Sequence, residues 1–536
     1  MSERVLKVLE SAERCGKRWE ARFRTAAKKY KEMFLAALCA GVAAYGCVML
    51  NILNTQDNIS NTPGGYGAGT ASGRWFLEIL AELTRKIWGV NTLPLFNGLL
   101  SVAFVALAAC LTVSVLEIKS RPFSILIALL FVAFPSLAMT MLFMFTVGYY
   151  AFSLLLALCG VYAAKNFRGL AGILSGAVCL ALSLGIYQAY LPIAAALFLL
   201  ILLRRGFSEK ELSGRDFFLQ GVRFLAVLAL GLAFYMAVLR LMLRFAGEDL
   251  NTYQGIDQMG AVSLPELPAM FAEAYKKFFA LPFTEEYAIN DPPVVRFAFL
   301  CSMILSAILF VWLELRVKAD KAAKALNAAY FALFPAAAFG IVIMCYHSSI
   351  FGRMAYGAVT AFFLPLVLLE VAEGNGGAAA RILRNGAASL LSALLFLASV
   401  SYVRQSNENY MVLDYTNRQT ENYFASMVTR IRMVPGYRQD LFLAFIGDDI
   451  DDRAFSNEVY RRSAYIYGGY TDESNYKKAG KSYMSNYMGF RQPMASDAQA
   501  SELAATDAVR AMPCYPDDGS IRVIGDYVVV KLENAG

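Results

Sequence analysis

Charged side chains are few where this chain is apolar, so the ones that gather at the ends of its apolar runs carry the chemical interest. Asp57 follows the first run, in Asn54-Thr-Gln-Asp57-Asn-Ile-Ser-Asn. Arg74 opens an amphipathic stretch shortly after it. Arg240 and Arg244 stand four apart at the end of a later run, on one face of a helix. Lys276 and Lys277 fall in a long polar joint, and His347 and Arg353 in a short one. A carboxylate among cations at a membrane surface suits glycosyl transfer from a lipid phosphate. The carboxylate takes the proton of an acceptor hydroxyl as general base. Arginine or lysine neutralises the phosphate that departs with the lipid, through charge and forked hydrogen bonds.

Plainer readings stand beside this one. Asp57 in a polar loop is also an ordinary turn-forming aspartate. Arg240 and Arg244 suit snorkelling to headgroups, and Arg74 the start of an interfacial helix. His347, the one histidine of the chain, reads as a boundary residue. Tyr149-Tyr150 and the Tyr187–Tyr190 bend read as an interfacial aromatic belt.

These residues need a scaffold, and the composition says which. Only 17% of the 536 residues are charged, against roughly a quarter in soluble domains. The deficit lies between Phe34 and Val403, where long apolar runs alternate with short joints. We expect about eleven membrane-spanning helices. They are Phe34–Leu53, Leu95–Val115, Phe123–Leu142, Gly148–Ala164, Leu170–Ala189, Pro192–Leu203, Phe218–Leu243, Phe297–Leu315, Ala328–Cys345, Met354–Leu369 and Ala387–Val403. The short sixth run suggests an earlier start and a kink at Pro192.

The joints orient the spans. Every second exit is basic: Lys119 and Arg121; Lys165 and Arg168; Arg204, Arg205, Lys210 and Arg215; Arg316, Lys318, Lys321 and Lys324; Arg381 and Arg384. Short joints on the other side, such as Thr146–Val147, carry no Lys or Arg. The positive-inside rule then predicts a cytoplasmic N-terminus and an extracytoplasmic C-terminus. The net charge of +7 belongs to this pattern and not to a nucleic-acid surface.

The expected organisation is a basic cytoplasmic helix over 1–31, a transmembrane domain over 32–404 with outer loops 54–94 and 246–296, and an extracytoplasmic domain over 405–536. Within the first loop, Arg74–Trp88 reads as a helix lying in the interface, with Trp75 and Trp88 at headgroup level. Glu266–Phe279 reads as an amphipathic helix in the second. The tail has a helical stretch, Glu421–Met433, stopped by Pro435-Gly436. Strand signals follow at Leu441–Ile446, Ile521–Ile524 and Tyr527–Leu532, the last two turning at Gly525-Asp526. Asn58-Ile-Ser60 fits a glycosylation sequon, a pattern short enough to arise by chance.

Of nine cysteines, Cys39, Cys47, Cys110, Cys159, Cys179, Cys301 and Cys345 fall in or beside the runs and act as small apolar residues. No C-x-x-C pair exists, which removes zinc and thioredoxin-type chemistry. No cofactor and no metal is expected, because one histidine and scattered acids make no cluster near Asp57. Glu78, Asp257, Glu285, Glu286 and Asp291 are the acids that folding could bring to it.

The order of motifs resembles the bacterial GtrII-type glucosyltransferases, polytopic modifiers of surface polysaccharide such as O-antigen. The resemblance rests on Asp57 after the first span, Gly73-Arg74-Trp-Phe-Leu, Phe134-Pro135-Ser-Leu, Gly148-Tyr-Tyr-Ala-Phe-Ser-Leu-Leu-Leu-Ala and Leu182-Ser-Leu-Gly-Ile-Tyr-Gln188-Ala. Arg353, Asp414-Tyr-Thr-Asn-Arg-Gln-Thr-Glu-Asn-Tyr423 and Val434-Pro-Gly-Tyr437 complete it. It implies an all-α polytopic bundle of the GT-C class, to which the strand signals of the tail add a small α/β C-terminal domain. It implies a polyprenyl-phosphate sugar donor, most often glucose, and a polysaccharide or glycolipid acceptor on the outer face. Asp57 is the implied base, and Gln188 lies in the motif that carries the resemblance; by their charge, Arg74, Arg240, Arg244, Arg353, Lys276 and Lys277 join it as substrate-binding candidates. Further implied partners are the bilayer, a flippase and a donor-synthesising enzyme. Many members carry two adjacent acids where this chain has Gln56-Asp57, so Asp57 acts alone or with Glu78 or Asp257. The competing class is a transporter or flippase of a lipid-linked saccharide. Transporters commonly carry internal repeats and charges deep in spans. Here Arg240, Arg244 and Glu314 lie near span ends.

Overall fold

In a bilayer each backbone N–H and C=O must be satisfied within the protein, and for apolar runs of this length the helix is the local solution. A computed structural model describes residues 3–209, 212–252, 257–258, 263–284, 291–373, 377–447 and 483–533. Its helices are α1 (Glu3–Leu50), α2 (Gln56–Asn61), α3 (Trp75–Trp88), α4 (Pro94–Val115), α5 (Arg121–Ala133), α6 (Pro135–Met141), α7 (Val147–Asn166), α8 (Gly169–Leu184) and α9 (Leu191–Ser208). There follow α10 (Gly214–Ala246), α11 (Leu267–Ala280), α12 (Pro293–Arg316), α13 (Lys321–Ala338), α14 (Ile341–Met344), α15 (Phe363–Val371), α16 (Ala378–Met433), α17 (Asp497–Ala504) and α18 (Asp507–Arg510). Among the described residues, seven helices are long and apolar enough to cross a membrane, and the bent pair α5–α6 makes an eighth if it is one span. The chain is a helical membrane protein.

Two expected boundaries fall inside helices. The basic N-terminal stretch and the first span form one helix, α1, because neither Gly nor Pro interrupts Arg24–Ala40. The last span and the helical stretch of the tail are likewise one helix, α16, which ends just before Pro435.

Four expected spans depart from continuous α-helix. Phe134 is extended ahead of Pro135, and α5 and α6 meet at 42°. Between α8 and α9 the helix opens at Gly185–Tyr187 and restarts through a 3-10 turn, Gln188–Tyr190. Pro192 therefore sits in the first turn of α9, where its missing N–H costs nothing, and does not kink a helix. α13 carries Pro335 and stops at Ala338, and the chain from Gly352 to Phe362 is 3-10 before α15 begins.

α4 packs on α7, α7 on α8 and α8 on α10. Gly160 and Gly176 let α7 and α8 approach at backbone distance. A Cβ on Gly160 would lie 3.0 Å from the Gly176 carbonyl oxygen. At the end of the bundle opposite Asp57, the joint after α4 collects the basic exits. Lys165 Nζ lies 2.6 Å from Glu117 Oε1, and Arg204 Nε lies 3.4 Å from Glu117 Oε2. Burial pushes the Glu117 carboxyl up, but Lys165 and Arg204 outweigh it and hold the group below its ordinary range.

Beyond α16 lies a three-stranded sheet in the order β1-β3-β2, made of β1 (Phe442–Ile446), β2 (Ile521–Ile524) and β3 (Tyr527–Lys531). β2 and β3 form an antiparallel hairpin turning at Gly525, and β1 runs parallel to β3. Leu443, Val528 and Val530 pack one face of it against Tyr423, Met427 and Ile431 of α16.

Candidate active site at the helix breaks

The helix breaks converge. The chain after α6, the Tyr187–Ala189 opening between α8 and α9, and the Ser348–Met354 segment together wall a pocket of about 240 Å³. Irregular backbone at bundle depth is tolerated where it lines such a cavity. Asp57, Asn61, Arg74, Tyr150, Tyr187, Gln188 and Arg353 line it.

Asp57 rides on α2, a six-residue helix with its N-terminus capped by Thr55, whose Oγ1 accepts from the Asn58 N–H at 3.1 Å. Asp57 is exposed, though protein packs around much of its carboxylate. Burial therefore pushes its carboxyl above the ordinary range, and Arg353 and Arg74 pull it partly back. Asn58, the next residue, is buried, and its amide donates to the Leu53 and Leu142 carbonyls at 3.1 and 2.7 Å. That engagement removes the Asn58 sequon as a glycan acceptor.

Arg74 caps α3. Its Nη1 donates to the Tyr150 hydroxyl at 2.8 Å, and the guanidinium stands over the Tyr150 and Tyr187 rings, 5.7 Å from each centroid. Its Nε is buried with no hydrogen-bond partner, as is the Tyr187 hydroxyl, among the described residues. The loop before Arg74 is clamped. Gln188 Nε2 donates to the Ser72 carbonyl at 3.2 Å, and the Tyr235 hydroxyl donates to the Gly73 carbonyl at 3.0 Å. Gly73 has φ +76°, and a Cβ there would lie 2.5 Å from the Tyr235 hydroxyl, so only glycine fits. Glu78 holds the same loop by accepting from Thr70 N and Oγ1 at 2.7 and 2.6 Å.

Arg353 packs between aromatic faces, 4.3 Å from the Phe351 centroid and 5.0 Å from Phe143. Among the described residues no carboxylate comes within ion-pair distance of Arg74 or Arg353. The pocket thus holds a carboxylate partly enclosed by protein and two guanidinium groups with no carboxylate partner among the described residues.

Asp57, Arg74, Gln188 and Arg353, named from sequence, meet in this pocket. The other four do not. Arg240 and Arg244 are exposed on α10, and Lys276 and Lys277 lie on α11 beside Glu273, at 3.8 and 3.7 Å. His347 pairs with Glu266 at 3.2 Å. Glu78, Asp257 and Asp291 lie outside the pocket, and Glu285 and Glu286 lie outside the described residues. No group of three or more His, Cys, Asp and Glu able to hold a metal occurs among the described residues.

Of the aromatic residues read as a membrane belt, Tyr150, Tyr187 and Tyr190 are instead buried, and Tyr149 is half-buried. Tyr150 and Tyr187 stack at 4.3 Å, and Tyr187, Tyr190 and Tyr356 meet edge to face. Trp75 is buried against Leu184, Tyr235 and Leu239, whereas Trp88 is exposed. The spacing Tyr150, Tyr187 and Tyr190 around predicted span ends was the available signal, but it is the same for a belt and for a pocket wall.

The sequence model described as Glucosyl transferase GtrII matches residues 46–364, more than half of the chain. The chain belongs to the GtrII glucosyltransferase family. The match begins within α1, ends within α15 and includes every pocket residue named above. No curated protein and no solved structure matches the chain. As a GtrII glycosyltransferase, this protein needs a sugar donor, an acceptor and the bilayer in which its helices sit.

Proposed function

We propose that this GtrII protein moves glucose from a polyprenyl-phosphate donor to a polysaccharide or glycolipid acceptor on the outer face of the cell membrane. The observation that carries the reading is the presence, in the lining of one pocket, of Asp57 and two arginines without an ion-pair partner among the described residues. Asp57 takes the proton from the acceptor hydroxyl, whose oxygen attacks the anomeric carbon as the bond to the lipid phosphate breaks. Burial raises the Asp57 carboxyl pKa, which makes Asp57 a stronger base than a solvated aspartate. Arg74 and Arg353 bind the phosphate and match the charge that grows as it leaves. Gln188 holds the Ser72–Gly73 turn and so aims Arg74. The charge match leaves no step that requires a metal.

The lipid tail needs an apolar groove that opens beside the pocket. One lies between α9, α10 and α13, with a volume of about 440 Å³, lined by Leu191, Pro192, Leu199, Phe218, Leu225 and Leu333. Its α9 wall follows directly on Gln188–Ala189 and runs to Leu202, roughly 17 Å of helix, which is the length of an acyl leaflet. A second apolar hollow, of about 710 Å³, lies between α3, α4 and α7.

Topology follows the charge pattern. Eleven crossings result if α8, α13 and the Tyr356–Val371 helix join the seven long helices and the α5–α6 pair. The pocket and the sheet then lie outside, and the Glu117 end inside.

The test is turnover by purified protein given polyprenyl-phosphate glucose and acceptor, without nucleotide sugar and with excess chelator. The proposal expects a new glycosidic bond. Movement of the lipid-linked sugar across vesicles with no bond formed supports the transporter reading instead.

A further inference from the structure

α2 is too short to be stable alone. Its place is therefore set by what grips it, and most of the grip comes from the far end of the sequence. Asn54, in the extended link between α1 and α2, donates its N–H to Asn417 Oδ1 at 2.9 Å, and its carbonyl accepts from Asn417 Nδ2 at 3.2 Å. Thr62, which closes α2, accepts from the Tyr487 hydroxyl at 3.3 Å and donates to the Asn58 carbonyl at 2.7 Å. The Thr62 carbonyl also accepts from Asn486 Nδ2 at 3.4 Å. Between these two fastenings, Ile59 inserts into the apolar core made by Tyr423, Phe424, Met427, Tyr483 and the strands.

Residues 57 and 59 are two apart on a helix and so face nearly opposite ways. α2 presents Asp57 to the pocket and Ile59 to the C-terminal core. The holder is itself fixed, since the Asn407 amide donates to the Ala43 carbonyl at 2.8 Å and the Tyr410 hydroxyl to the Ala138 carbonyl at 2.7 Å. α16 is thus a post fastened to α1 and α6 that continues past the bundle and carries the core that seats α2.

We propose that the C-terminal segment sets the position of Asp57, with Asn417 and Tyr487 as positioning residues for the transfer reaction. The proposal rests on the reading of Asp57 as base. It assigns the segment a role in catalysis without contact with substrate. A displacement of about 1 Å at a reacting group can cost ~10²-fold in rate.

The experiment uses the full-length protein with Asn417→Ala, Tyr487→Phe and both together. It measures kcat, KM for donor and acceptor, and the acid limb of the rate against pH. The expected result is a kcat lowered about 10- to 100-fold with both KM values within about twofold. The acid limb should move down towards an ordinary carboxylate, as a loosened Asp57 gains solvent. Thr62→Ser, which keeps the hydroxyl, should retain activity, whereas Thr62→Val should lose it. Tyr487→Phe retains the ring stacked 5.2 Å from Tyr483, so it keeps the proposal testable where Asn417→Ala lowers the folded yield. Unchanged kcat and acid limb in the double variant overturn the proposal. A raised acceptor KM with kcat and acid limb unchanged also overturns it and makes the segment an acceptor platform. Full activity of Asp57→Asn sinks the base reading itself, whereas full activity of the double variant beside an inactive Asp57→Asn sinks only the positioning role.

Discussion

An aspartate in the first turn of a helix is ordinarily solvated, ionised and favoured by the helix dipole. Asp57 has that place on α2, but the surrounding protein raises its carboxyl against the opposing pull of Arg353 and Arg74. A folded-state pKa above the unfolded value means that the native state binds the proton more tightly. Stability is then fully present below the unfolded carboxylate range and declines as pH rises through the folded value. The ionised form carries a cost of burial that the function uses. The rate against pH should accordingly fall on the acid side at a pH above that of a solvated aspartate. Arg74→Lys and Arg353→Lys should each lower kcat/KM by about tenfold or more, because lysine lacks the planar fork. Steady-state kinetics across pH check both expectations, and full activity of the two lysine variants moves the phosphate site elsewhere. Asp57 and Arg74 were readable in the sequence because each polar residue beside an apolar run is conspicuous. That Arg353 faces them was not, since nothing local to either segment encodes that meeting.

Among the elements, the breaks matter more than the spans. Phe134-Pro135 and the chain after Ala338 read as continuous apolar runs, because hydropathy averages over the few residues that open a helix, whereas the Tyr187–Tyr190 bend was legible as a joint but not as a pocket wall. The basic joints were legible for the opposite reason, as charge at a span end has one cheap location. The tyrosines around Tyr187 stayed ambiguous because an amphipathic ring suits a headgroup and a pocket wall equally. Two predictions belong at this scale. Ala195→Trp fills the groove between α9 and α10 and should raise KM for a long-chain polyprenyl donor while sparing a short-chain one. Equal effects on both donors place the tail elsewhere. Asp291 joins the start of α12 to α16. It is buried, with Arg296 Nε donating to its carbonyl at 2.9 Å. Burial pushes its carboxyl up to about 7, against a hydrogen bond from Tyr402 and the charge of Arg296. With the folded value above the unfolded one, its contribution is greatest in acid and is lost as pH rises through about 7. Asp291→Asn should therefore raise Tm at pH 8 and leave it unchanged at pH 4, by thermal unfolding in detergent. A lower Tm at pH 8 contradicts this.

At the scale of the whole molecule, the two long helices decide the architecture. α1 and α16 each extend past the bundle, which is why boundaries drawn where apolar runs stop, near Lys31 and Arg404, fall inside helices. Composition marks where lipid ends and not where a helix ends. The strands of the C-terminal sheet were visible as short β-branched runs around Gly525-Asp526, but the seating of α2 on that core was not, because Ile59 and Tyr423 are related only through the fold. The proposed topology places the N-terminus inside and the sheet outside. Paired reporters at the two ends should be active on opposite sides, and reporters active on the same side contradict an odd number of crossings.

The central claim is that Asp57 is the base of a glucosyl transfer from a lipid phosphate, and one substitution addresses it most directly. Asp57→Asn keeps the shape of the side chain and removes both the charge and the proton acceptor. With purified protein, polyprenyl-phosphate glucose and acceptor, the variant should transfer at about 10²- to 10⁴-fold lower kcat, with normal membrane insertion and an unchanged or higher Tm. Transfer by Asp57→Asn at the wild-type rate would contradict the account.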